Sequence, residues 1–335
     1  MENERPLNTE CVNEIDNDLD SADWRVRLSR AARVDWTPTQ EQIEKGLTDS
    51  DVDVRAAWIS RKDWVPTSER VEMGFTDGDW AIRRAWARRT DLKTTCEQVE
   101  RGLSDEDNSV RKAWVERMDW TPTPKQVERG LTDTDHGIRM AWVTRTDWTP
   151  TPEQVENGLN DTGWKIRLAW SKREGWTPTH EQADKGLTDN TWSTRMAWAR
   201  RLDWTPTPEQ VETGLSDDDV DVRKAWVERM DWVPTPEQVE KGISDERWTS
   251  WTIRVAWLER MDWTPTPEQV ERSLDDLDAD VRATWVRRMD WTSFHEHVER
   301  GLNDPSGYVR DLWEQRLRME QERLLMDETD FITSL

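Results

Sequence analysis

Hydrophobic and polar positions along this chain repeat with a period of 28 residues. A tryptophan marks the register at Trp36, Trp64, Trp120, Trp148, Trp176, Trp204, Trp232, Trp263 and Trp291, and Leu92 stands in the slot of a tenth. Each interval is 28 residues or a multiple of it, except Trp232 to Trp263, where Arg247, Trp248 and Thr249 are inserted. A fixed period of this size means stacked units, in place of one globular core.

Residues 119–147 show what a unit contains. Thr123 and Pro124 suit a helix N-cap and first helical position, and Gln126 completes a capping box. The glutamine recurs as Gln42, Gln98, Gln154, Gln182, Gln210, Gln238 and Gln269. Val127 and Leu131 follow four apart on one face, which predicts a short first helix of roughly 8–10 residues. Gly130 recurs as Gly46, Gly74, Gly102, Gly158, Gly186, Gly214, Gly242 and Gly301, with Ser273 as the exception. Glycine inside a helix costs ~1 kcal/mol relative to alanine, so its retention implies close backbone approach to the adjacent helix.

A second helix is expected from about Gly137 to Thr146, with Ile138, Ala141 and Trp142 on one stripe. Its tryptophan recurs as Trp58, Trp86, Trp114, Trp170, Trp198, Trp226, Trp257, Trp285 and Trp313. Two periodic slots thus hold 19 of the 25 tryptophans, which assigns those rings to the core. Neither helix can bury its stripe alone, so units must shelter one another. The first unit, with Arg30 in the second-helix slot, and the last, running into Glu314-Gln315-Arg316, read as caps.

An aspartate recurs six residues before an arginine, as Asp49/Arg55, Asp77/Arg83, Asp105/Arg111, Asp133/Arg139, Asp161/Arg167, Asp189/Arg195, Asp217/Arg223, Asp276/Arg282 and Asp304/Arg310. This string resembles the Asp…Val-Arg signature of HEAT-like repeats, and the short unit is also similar to the variant leucine-rich repeat, a helical relative. The resemblance implies that the Asp/Arg residues form a structural hydrogen-bonded ladder between consecutive units. It implies an all-α fold, a right-handed HEAT-like α-solenoid of about eleven two-helix repeats. The solenoid is expected over residues 21–318, between an acidic lead-in at 1–20 and an acidic helical tail at 319–335. The cysteine set of the iron–sulfur variant of that family is absent, so the resemblance implies no cofactor.

Composition adjusts this picture in three ways. Mean hydropathy of −1.00 leans toward disorder, but 25 large rings restore the buried area that the sparse aliphatics lack. The net charge of −23 is concentrated at the ends, with −7 in residues 1–23 and −4 in residues 319–335. That balance disfavours direct nucleic-acid binding and anionic membranes. Two cysteines, Cys11 and Cys96, build neither a disulfide framework nor a metal site. Met1 to Glu10 lack the apolar core of a secretory signal, and no run is apolar enough to span a membrane, so a cytoplasmic location is expected.

Slots identical in every unit serve packing, whereas variable slots are free for a partner. A second arginine column, Arg33, Arg61, Arg89, Arg117, Arg145, Arg173, Arg201, Arg229, Arg260, Arg288 and Arg316, suits helix C-terminal carbonyls or acids of the next unit. The competing reading is a cationic stripe for a polyanion. The most variable slot opens the second helix: Trp24, Val52, Trp80, Asn108, His136, Trp164, Trp192, Val220, Trp251, Ala279 and Gly307. Tryptophan recurs there without being demanded by the stack, as interface anchors do.

The candidate partner-binding residues are therefore Trp80, Trp164, Trp192, Trp248 and Trp251, with Arg84, Lys112, Lys165 and Lys224 setting specificity. No catalytic constellation occurs, and His295 and His297 do not share a helix face as a metal pair would. The leading expectation is a non-enzymatic scaffold that binds a protein along its concave, second-helix surface. The alternative is an acidic nucleic-acid mimic that occupies the basic cleft of a DNA- or RNA-binding protein.

Overall fold

The computed structural model describes residues 18–245 and 251–333, and these contain helices and no strand. The chain divides after Gly175 into two compact units. In the first, second helices Trp24–Ala32, Val52–Ser60, Trp80–Ala87, Asn108–Val115, His136–Thr144 and Trp164–Lys172 alternate with first helices Gln40–Leu47, Ser68–Phe75, Cys96–Leu103, Pro124–Leu131 and Pro152–Leu159. In the second, first helices His180–Leu187, Pro208–Leu215, Pro236–Ile243, Pro267–Leu274 and His295–Leu302 alternate with second helices Trp192–Ala199, Val220–Glu228, Trp251–Glu259, Ala279–Arg287 and Gly307–Thr333.

Local chemistry sets these boundaries. Thr123 accepts from Gln126 N–H while Gln126 Oε1 accepts from Thr123 N–H at 2.8 Å, and the same reciprocal cap opens the helices at Gln40, Cys96, Pro152, His180, Pro208, Pro236 and Pro267. The cap glutamine has a second task that spacing alone does not reveal. Its Nε2 donates to an acid of the preceding repeat, from Gln98 to Glu72 at 2.9 Å and from Gln126 to Glu100 at 2.9 Å.

Within each unit, a second helix packs on its own first helix and on the second helices of its neighbours, while first helices touch one another sparsely. The indole of the second helix lies at the centre of each hairpin. Trp58, Trp114, Trp142, Trp170, Trp198, Trp226, Trp257, Trp285 and Trp313 are all fully buried. Each is met edge-on by the tryptophan that opens its repeat, except Trp114, with ring centroids 5.9–6.2 Å apart and planes at 75–85°. Where Leu92 replaces the opening ring, Phe75 supplies an aromatic contact to Trp114, with centroids 4.8 Å apart.

The helical glycines have a different reason from the one the sequence suggests. What approaches them is the indole of their own hairpin, not neighbouring backbone. A Cβ built on Gly130 would lie 1.9 Å from Trp142 Nε1, and one on Gly46 2.2 Å from the Trp58 ring. In these hairpins the ring occupies the space that a side chain at the glycine would need, and the one hairpin without the glycine has the small Ser273 there, beside buried Trp285.

Arginine then joins the repeats. Arg145 is buried and all five of its N–H groups are directed at acceptors. Nη1 donates to Val115 O at 2.6 Å and Arg117 O at 2.5 Å, both at the end of the preceding second helix. Nη2 donates to Trp120 O at 3.0 Å, and Nε and Nη2 grip Asp147 at 2.9 and 2.5 Å. The guanidinium also sits over the Trp120 and Trp142 rings, 4.3 and 5.7 Å from their centroids. The same hydrogen bonding recurs at Arg61, Arg117, Arg229, Arg260 and Arg288, with Arg117 over the Trp114 ring alone because Leu92 takes the opening slot. These side chains are consumed by packing, so the column offers no stripe to a polyanion.

Two outcomes are expected. Gly130→Ala should lower the unfolding free energy measured in urea by about 1–3 kcal/mol through overpacking, against the gain that helix propensity alone would give. Gly78→Ala, with open space at its Cβ, should be close to neutral, and equal effects from the two would remove the indole argument. The second outcome concerns acid. Hydrogen bonding to Arg33 holds Asp35 at about 2, and Arg89 and Arg260 likewise depress Asp91 and Asp262. A depressed carboxyl stabilises the fold above its unfolded value of about 4 and loses that contribution as pH falls through the folded value. The urea midpoint should therefore hold from neutral pH to about 5 and drop between about pH 4 and pH 2.

Candidate functional site

The aspartates of the Asp/Arg string fall in the turns between first and second helices, the arginines lie in the first turns of the second helices, and both are occupied there. Arg111 of one repeat grips the Asp133 carboxylate of the next at 3.0 Å through both Nε and Nη2, while Arg139 Nη1 donates to Asp133 O at 2.8 Å. Asp133 Oδ1 also accepts from Asp135 N–H, which shapes the turn. Equivalent inter-repeat pairs join Arg27 to Asp49, Arg83 to Asp105, Arg139 to Asp161, Arg195 to Asp217, Arg254 to Asp276 and Arg282 to Asp304. Within a repeat, Arg55, Arg83, Arg167, Arg195, Arg223 and Arg310 hold the carbonyls of Asp49, Asp77, Asp161, Asp189, Asp217 and Asp304. These groups knit the stack and leave no free chemistry.

The second-helix face that points away from the first helices is different. Its opening slot carries rings that remain in solvent: Trp80 is 44% exposed, Trp164 45%, Trp192 44% and Trp251 39%. The core rings six residues further on are at most 2% exposed. Each opening ring is the first residue of its helix, so it leans over the turn before it. Arg84 lies over Trp80 at 4.9 Å and Lys165 over Trp164 at 5.6 Å. Lys112 and Lys224 instead pair along their own helices with Glu116 at 3.7 Å and Glu228 at 3.6 Å. Trp248 and its inserted neighbours Arg247 and Thr249 lie outside the described residues.

Two of the candidates, Trp164 and Lys165, come together in an open groove of about 880 Å³ between second helices His136–Thr144 and Trp164–Lys172. Met140 and Leu168 give it an apolar wall, Lys172 a second cation, and Gly175 its rim. Trp80, Trp192 and Trp251 take the opening slot of other repeats, and Arg84, Lys112 and Lys224 lie four residues after that slot; none of these lines this groove.

The sequence passed over Gly175. Eight of the nine register tryptophans follow an aspartate that pairs with the second arginine column, and Trp176 follows Gly175. Its φ of 87° lies in the left-handed region that glycine tolerates. That break in an otherwise regular phrase was the available signal, and it marks the groove.

The histidines are structural where their contacts are visible. His297 takes the cap-glutamine slot, accepts from Phe294 N–H at 3.1 Å and meets Glu271 of the preceding repeat. Among the described residues, no group of three His, Cys, Asp or Glu side chains is placed to hold a metal ion, and no helix is long and apolar enough to cross a membrane.

The comparisons agree with this architecture. A family model described as a HEAT repeat associated with sister chromatid cohesion matches residues 40–60, which is one complete hairpin. Among solved structures, a leucine-rich repeat variant with a novel repetitive structural motif superposes with a TM-score of 0.51 at 19% identity, covering 72% of this chain and 88% of that one. No curated protein matches the sequence. The chain is an all-α repeat protein with a HEAT-like fold.

Because Trp164 is exposed and Trp170 is buried one and a half turns later, their truncation should separate the face from the stack. Trp164→Ala should shift unfolding by no more than about 1 kcal/mol, while Trp170→Ala should cost about 3–5 kcal/mol. Comparable losses in urea denaturation would mean that the opening ring belongs to the core.

Proposed function

We propose that this HEAT-like repeat protein is a non-enzymatic scaffold that binds another protein along its second-helix face. The observation that carries the reading is a division of labour within one helix. One tryptophan in each repeat after the first is buried and used by the stack, while a second, at the opening slot of certain repeats, stays in solvent, with a cation beside it at Trp80 and Trp164. Large amphipathic rings on a rigid surface supply contact area at low entropic cost, which is how interface anchors work. Repeat-to-repeat variation at that slot, from Trp80 to Asn108 to His136 to Trp164, supplies specificity on a constant frame.

Mimicry of nucleic acid is less well supported. A mimic needs a ridge of available anions, but one acid on each of several first helices is engaged with the following repeat. Glu44 meets Arg70, Glu72 meets Arg101, Glu100 meets Arg129 and Glu240 meets Arg272.

The test is site-specific photocrosslinking of the full chain in host-cell extract. A benzophenone amino acid at 84, 164 or 196 on the second helices should yield discrete protein adducts. The same group at 69, 153 or 209 on the first helices should yield none. Adducts confined to the first-helix positions would overturn the reading.

A further inference from the structure

The groove beside Trp164 inverts the electrostatics of the molecule that contains it. The chain carries −23 overall, yet the groove presents exposed Lys165 and Lys172. At its floor lies Arg173, which donates to Trp148 O at 2.7 Å and to the carbonyls of Val143 and Arg145. Burial lowers its guanidinium to about 10, with Asp147 acting in the opposite direction, so it remains a cation at neutral pH. In the repeats around Arg61, Arg89, Arg117, Arg145, Arg201, Arg229, Arg260 and Arg288, an aspartate two residues on accepts from the arginine. Residue 175 is glycine, so it contributes no carboxylate and no bulk to the rim. Glu174 is the one acid among the groove's lining residues.

We propose that this groove receives an acidic peptide segment of a partner protein, with a carboxylate seated between Lys165, Lys172 and the Gly175 rim and an apolar side chain packed on Trp164, Met140 and Leu168. The inference rests on the scaffold reading and adds the chemistry of the partner. Two opposing effects decide the sign of that partner's charge. The acidic chain as a whole favours a basic ligand, but charges beyond about 8 Å are largely screened at physiological ionic strength. Among the groove's lining residues the two lysines and the floor arginine outnumber the single acid, Glu174, and they favour an anion. A nucleic acid fits less well, because its charges continue past the groove into the acidic surroundings. A short peptide places one or two carboxylates where the cations are and an aliphatic or aromatic residue where the wall is.

Fluorescence anisotropy with the full-length protein at 150 mM NaCl tests this. The probe is a labelled twelve-residue synthetic peptide with a central Glu-Glu-Phe-Leu-Glu-Glu. The controls are a lysine-for-glutamate version, a version with serine in place of Phe-Leu, and a dodecameric oligothymidylate. The acidic apolar peptide should bind and the controls should bind at least about tenfold more weakly. The double variant Lys165→Glu, Lys172→Glu and the single variant Trp164→Ala should each weaken binding by about tenfold or more. Gly175→Asp, which restores the aspartate of the other repeats, should also weaken it by about fivefold or more while keeping the helical circular-dichroism signal. Equal binding of the lysine peptide, preferred binding of the oligonucleotide, no binding of the acidic peptide up to about 1 mM, or affinities unchanged in all three variants would each overturn the proposal. Such a failure, with second-helix crosslinks still formed, would leave the scaffold reading standing and remove only the acidic partner. Loss of the crosslinks would remove the scaffold reading itself.

Discussion

A buried arginine that belongs to two repeats at once is the interaction on which the rest of this structure depends. Arg145 and its equivalents take a full positive charge out of water, which is costly unless every donor is met. Two carbonyls come from the end of the preceding second helix, a third from the residue that opens the arginine's own repeat, and a carboxylate from two residues on. Indole faces close the remaining sides. A lysine could not reproduce this, since its three donors radiate from a point and do not form a planar fork. The carbonyls satisfied are among those a helix leaves orphaned at its C-terminus, so the arginine also terminates its neighbour's helix. No hairpin is complete without the next.

This requirement explains the molecule's economy. The first Asp/Arg column ties one turn to the next, and the cap glutamines and first-helix acids add a further seam. Together they fix the turn, first-helix and helix-end sides of each repeat. The glycine-indole contact fixes the inside, because Gly130 leaves no room between the two helices for anything except the ring. What remains unconstrained is the outer face of the second helix. There the opening slot changes from ring to aliphatic to polar without disturbing the stack, and the exposed tryptophans collect. A frame this over-determined can tolerate an irregular repeat such as the one ending at Gly175, and that irregularity is where a groove opens.

Some of this was legible in the residues. Periodicity, the Thr-Pro-x-Gln caps and the two tryptophan slots specify alternating short helices whose apolar stripes must be shared, and the aspartate–arginine string points to HEAT-like stacking. The direction of several contacts was not. Gly130 reads equally well as backbone approach or as room for a ring, because a missing side chain does not say what fills its place. Gln126 advertises its cap but not its bond to Glu100, which spans 26 residues. The second arginine column left two readings open until burial showed those guanidiniums inside the protein.

The sequence by itself determined what lies within about one turn of each residue: where helices start, which stripe is apolar and that the unit repeats. Those outcomes follow from local hydrogen bonding and side-chain volume, which act between neighbours in the chain. Tertiary structure alone decided which groups meet across 22 to 30 residues, so that Arg111 faces Asp133 and Arg145 reaches Val115. It also decided that Trp164, Leu168 and Met140 share a wall while Trp80 stands apart from it. The physical reason is that stacking geometry sets those encounters, and a periodic sequence offers the same residue to every neighbour until the helices are placed.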